Sequence, residues 1–168
     1  MGSLVGSRVE RKEDKRFLTG KGRYTSDINI INQTYAVFVR SPHARAKIKK
    51  VDFSKASKAP GVVSVLTGAD IVKDKIGGLI AGWKIVSEDG TDMKVPAHPP
   101  LASDTVNYVG DHVAVVIAES LDEAKAAANS VEVDYKVLQA VTSTADAMKS
   151  EKIYNDIDKN LCFDWLLG

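Results

Sequence analysis

Cysteine is almost missing from this sequence. Cys162 is the only one in 168 residues, so no internal disulfide forms and no C-x-x-C exists. A lone thiol holds neither a structural zinc nor an iron–sulfur cluster, and such usage fits a reducing cytoplasm. Histidine is scarce too. His43, His98 and His112 lie far apart, without H-x-x-x-H spacing or a carboxylate companion at ligand distance. No apolar run approaches the roughly 20 residues of a membrane span, and the N-terminus lacks a signal-peptide core. G-x-S-x-G, P-loop and H-E-x-x-H patterns are all absent. Gly20-Lys-Gly22 and Gly77-Gly-Leu-Ile-Ala-Gly82 do not complete a dinucleotide loop after a strand, and both read as turns. Cys162, set among Leu161, Phe163 and Trp165, reads as a buried inert thiol rather than an activated nucleophile. On its residues alone, the chain carries no active site.

What is present is ordinary in amount and uneven in placement. A hydrophobic fraction of 44% and a charged fraction of 27% suit one soluble domain with a real core. The net charge of +1 hides an asymmetry. Residues 1–50 hold twelve Lys/Arg and four Asp/Glu, a balance of +8, which leaves −7 for residues 51–168. Acids at Glu10, Glu13 and Asp14 interleave the basic stretch, and no nucleic-acid motif accompanies it. The sequence therefore points away from nucleic acid. A surface that docks within a larger assembly fits better, with a plain solvated face as the alternative.

The stretch Tyr35–Lys50 organises the reading. Tyr35 to Val39 is apolar on both alternating faces and predicts a strand buried on both sides. Arg40-Ser41-Pro42-His43 breaks it, because proline lacks an N–H and biases the residue before it to extended conformations. Ala44, Ala46, Ile48 and Val51 then alternate loosely with Arg45, Lys47 and Lys49, predicting a second strand with one wet face.

Residues 1–33 are polar and aperiodic and read as an extended arm. Residues 34–150 form the main domain, and residues 151–168 a linker. Within the domain, Ser54–Ala59 predicts a helical turn closed by Pro60-Gly61, and Val62–Leu66 a third strand. Thr67 or Asp70 caps a short helix. The glycine- and proline-rich segment 75–100 is a long loop, with a strand expected at Trp83–Val86. Strands at Thr105–Val109 and His112–Ala118 meet at Gly110-Asp111. Ser120 and Glu123 have capping-box spacing before an alanine-rich helix, and Val131–Val137 alternates as a half-buried strand. Ser143 to Asp146 opens a last short helix. Leu161–Gly168 is apolar with no partner in sequence, and the chain reads as cut rather than finished.

Seven collinear stretches stand out together: Arg16–Ile28, Val39–Ile48, Pro60–Asp70, Pro100–Asp104, Tyr108–Ala114, Val131–Tyr135 and Asn160–Trp165. They resemble the N-terminal domain of the molybdenum-binding large chain of the xanthine dehydrogenase/aldehyde oxidase family, nearest to carbon-monoxide-dehydrogenase-type large subunits. Arg45 stands where a second histidine is common, and His112 where proline is common. The resemblance implies an α+β domain of the α/β-hammerhead type, a mixed β-sheet with a few short helices. It implies no cofactor in this chain. For the full complex it implies molybdopterin-bound molybdenum in later domains of the large subunit, 2Fe–2S clusters on a small subunit and FAD on a medium one. The expected partners are the remainder of the large subunit and those two subunits. Arg23, Arg40, His43, Arg45, Asp111 and Trp165 are the candidate inter-domain or subunit-interface residues, and the expected location is cytoplasmic. The alternative is a stand-alone binding protein using the loop Gly77–Pro100.

Overall fold

The computed structural model describes residues 5–166, which fall into two units, Met1–Gln33 and Thr34–Gly168. In the first unit, the segment expected as an extended arm forms a one-turn helix α1 (Asp14–Leu18) and a 3-10 turn (Thr25–Asp27). Ion pairs Arg11–Asp14 and Arg16–Glu13 brace the helix, and Phe17 stacks on Tyr24 with ring centroids 5.5 Å apart. These local pairs are what the aperiodic composition concealed.

The second unit is built from two three-stranded sheets. One has the order β1 (Tyr35–Arg40), β5 (His112–Ala118), β3 (Val62–Thr67). The other has the order β4 (Thr105–Val106), β2 (Ala46–Asp52), β6 (Glu132–Val137). The α+β class holds. The strands, expected in one mixed sheet, divide between two, and the pairings are antiparallel. Helix α2 (Gly68–Lys73) comes after β3, α3 (Leu121–Asn129) after β5, and α4 (Thr144–Ala147) after β6.

β1 is half-buried on one face only: Val37 and Val39 pack with Val116, Ala127 and Ala128, while Phe38 is 41% exposed. It is an edge strand with α3 on a single face, so the apolar residues of its other face stay wet. β2 keeps its alternation until a bulge between Ile48 and Lys50 shifts the register, bringing Val51 opposite Val133. The strand expected at Thr105–Val109 shortens to two residues. Gly110, at φ +92°, supports a turn that a side chain would strain, and the chain leaves for the other sheet.

Among the described residues three small cores result. Ala46, Ile48, Ala102, Val106 and Val113 join the two sheets. Val116, Ala56, Ala127 and Ala128 seat α3, whose alanines allow a close approach. Ile71, Leu101 and Val115 close the opposite face. The α3 cap forms in part: the Glu123 N–H donates to Ser120 Oγ at 3.3 Å, and that hydroxyl donates to the Glu123 carboxylate at 2.7 Å. At α2 the capping residue is Thr67, whose N–H donates to Asp70 Oδ2 at 2.7 Å.

Candidate docking corner

The chain changes sheet twice near one point, between β1 and β2 and between β4 and β5. The Ser41 N–H donates to the Asp111 carbonyl at 2.8 Å, and the Gly110 N–H donates to the Ser41 carbonyl at the same distance. Ser41 and Asp111 are both buried, at 2% and 7% exposure. The Asp111 carboxylate accepts the Asn107 N–H at 3.0 Å, which gives the buried charge a partner. Ser41 Oγ accepts the His43 N–H and donates to the His43 carbonyl, both at 3.0 Å. Serine and histidine are thus neighbours, yet the hydroxyl is spent on the histidine backbone rather than its ring. The ring instead meets Tyr135 edge-on at 5.0 Å. No nucleophile–base pair arises here.

Four of the six residues expected at an interface gather at this corner. Asp111 and His43 are as described. Arg40 is exposed; it donates from a guanidinium nitrogen to the Gly110 carbonyl at 3.1 Å and lies 6.0 Å from the Phe38 ring, which stacks on His112 at 4.3 Å. Arg45 is half-buried and turned inward. Its guanidinium donates to the carbonyls of Gln139 at 3.3 Å, Lys152 at 3.4 Å and Ile153 at 3.3 Å, clasping the segment after β6 to the segment after α4. The remaining two stand elsewhere. Arg23 belongs to the Met1–Gln33 unit and is exposed, and Trp165 is 57% exposed on the final extended segment.

Sequence reasoning missed the tyrosines around Asp111. Burial pushes the Tyr135 and Tyr154 hydroxyls above their usual range, and the Asp111 charge adds to it. Tyr108 is raised in the same way, and its Oη lies 3.4 Å from His98 Nε2. The inward position of Tyr135 was readable from the β6 alternation; the convergence on Asp111 was not, because it joins three distant segments. Cys162 corrects another expectation. It is exposed, since the backbone of its segment, rather than its apolar side chains, makes the contacts.

Among the described residues no three His, Cys, Asp or Glu gather as metal ligands, and one cysteine cannot supply the four thiolates of a 2Fe–2S cluster. Among the described residues no helix is long and apolar enough to cross a membrane.

A family model, "Aldehyde oxidase and xanthine dehydrogenase, a/b hammerhead domain", matches residues 19–139. The chain belongs to this family. Over 91% of its length it is 39% identical to 18% of the nicotine 6-hydroxylase large subunit of Paenarthrobacter nicotinovorans. Over 88% it is 35% identical to 17% of the carbon monoxide dehydrogenase large chain of Afipia carboxidovorans. Quinoline 2-oxidoreductase from Pseudomonas putida 86 superposes with a TM-score of 0.77 at 36% identity, over 90% of this chain and 18% of that one. The hammerhead chain spans under a fifth of the length of these relatives. These comparisons give it the hammerhead fold, and the proteins it is similar to include a carbon monoxide dehydrogenase large chain and a xanthine dehydrogenase.

Proposed function

We propose that this chain is the N-terminal structural and docking domain of a molybdenum hydroxylase large subunit, not catalytic on its own. The observation that carries this is the match itself: nearly the whole chain aligns with under a fifth of an oxidoreductase large subunit. The corner chemistry supports it, because the Ser41 hydroxyl and the Asp111 carboxylate are both tied to backbone groups of the fold. In this reading Arg40, His43 and the exposed Arg23 and Trp165 face neighbouring parts of the assembly, and Asp111 and Arg45 act from inside by shaping that surface. Molybdopterin-bound molybdenum belongs to the remainder of the large subunit, 2Fe–2S clusters to a small subunit and FAD to a medium one, in the cytoplasm. The boundaries proposed are 1–33 for the arm, 34–150 for the hammerhead and 151–168 for the connection to the cofactor-binding part of the large subunit.

Complementation tests the reading. Co-expression of residues 1–168 with the remainder of the large subunit and its partner subunits should restore hydroxylase activity, and the purified chain alone should hold no molybdenum. Full activity without this domain overturns it. Against a free ligand-binding loop at Gly77–Pro100 stands the occupation of its middle by the chain's own final segment.

A further inference from the structure

The loop between α2 and β4 is not structureless. The Met93 N–H donates to the Ile85 carbonyl and the Ser87 N–H to the Thr91 carbonyl, both at 2.8 Å, which makes a small hairpin. Gly90 at its tip has φ +82°, and both the N–H and hydroxyl of Thr91 donate to Asp89 Oδ1, at 2.9 and 2.6 Å. With the tip satisfied internally, both arms turn further donors onto one segment. The Lys94 N–H reaches the Cys162 carbonyl at 2.9 Å, and the Glu88 N–H reaches the Asp164 carbonyl at 3.0 Å. The Asp164 N–H in turn donates to Ser87 Oγ at 3.3 Å.

Asn160 delivers the chain to that hairpin. It and Lys159 both adopt φ 55°, the left-handed region that asparagine tolerates better than most residues. Its side chain accepts the Ile153 N–H at 2.7 Å and donates to the carbonyls of Ala147 at 2.9 Å and Glu151 at 3.1 Å. One side chain therefore gathers three points of the preceding segment at the residue where the backbone reverses hand.

We propose that Leu161–Asp164 is a strap clasped by the hairpin Ile85–Lys94, with Asn160 as the positioning residue that turns the chain onto it. The long loop is then an intramolecular receptor, and the chain leaves the hammerhead in a fixed direction rather than as a flexible linker. The purpose assigned to the strap, setting the orientation of the next part of the large subunit, rests on the docking reading above.

Cys162 is the only thiol, so a fluorophore attached there reports the strap directly in the otherwise unmodified chain. Its anisotropy should decay with the tumbling of the whole molecule; complete decay within about a nanosecond overturns the proposal. Amide exchange supplies a second readout. The Glu88 and Lys94 N–H groups should be protected at least about tenfold over unstructured chain, and Asn160→Gly, which keeps the left-handed turn but removes three hydrogen bonds, should abolish that protection while amides of β5 keep theirs. Unprotected Glu88 and Lys94 amides in the parent chain count against the strap. Both measurements use the 168-residue chain without partners, so their failure leaves the docking reading standing.

Discussion

The N–H of Ser41 donates to the carbonyl of Asp111 at 2.8 Å, tying the β1–β2 passage between the sheets to the β4–β5 passage. Because both sheets are small, this tie and the shared core at Val113 hold them in one unit. The exposed Arg40 and the Phe38–His112 pair are carried on this frame.

Removing side chains at the tie should cost stability in proportion to what is left unpaired. Asp111→Ala strips the acceptor from the Asn107 N–H and should lower unfolding free energy by about 2 kcal/mol, whereas Asp111→Asn keeps an acceptor oxygen and should cost about half as much. Urea unfolding monitored by far-UV circular dichroism checks the order of the two variants.

Asp70 gives the acid limb a residue-level cause. The Thr67 N–H, then its hydroxyl, hold the Asp70 carboxyl below its usual 3.8. A depressed carboxyl stabilises the fold above its unfolded value, and that contribution fades as pH falls through the folded one. Wild-type stability should therefore drop below about pH 4, and Asp70→Asn should flatten that drop while lowering stability at neutral pH. Thermal unfolding at a series of pH values between neutrality and the acid limb measures both.

Tyr135 governs the opposite limb. Its buried hydroxyl has no hydrogen-bond partner among the described residues, so Tyr135→Phe should be neutral or stabilising by up to about 1 kcal/mol. Its pKa is raised, so the protonated form is favoured when folded, and stability is lost as pH climbs past the usual 10.0. The phenylalanine variant should shift the alkaline unfolding midpoint upward, and a downward shift would contradict the assignment.

Gly68 tests close packing. A Cβ there would collide with the Ala102 carbonyl oxygen and come 2.5 Å from Ser103 Cα. Both obstacles are backbone, so Gly68→Ala should destabilise by about 2–3 kcal/mol. By contrast, Gly77→Ala, with nothing within 4 Å, should change the thermal midpoint little.

Strands and caps set by local pattern were legible in the sequence. Val133 and Tyr135 do face inward as the alternation predicts, and Thr67 and Ser120 do open helices. What failed to show depends on distant partners. β1 reads as doubly buried because its composition is apolar, and only the position of α3 leaves Phe38 wet. Nothing in Arg45 itself announces that its guanidinium will find carbonyls 94 to 108 residues away. Asn160 was visible inside a family motif, but its three bonds and left-handed backbone were not.

The most direct test of the docking account is calorimetric titration of the 168-residue chain into the separately purified remainder of the large subunit. A saturable one-to-one complex with a Kd of about 1 µM or tighter is expected, weakened at least about tenfold by Arg40→Glu. No heat at tens of micromolar, roughly −6 kcal/mol of binding free energy or weaker, together with full activity of the remainder alone, would contradict it.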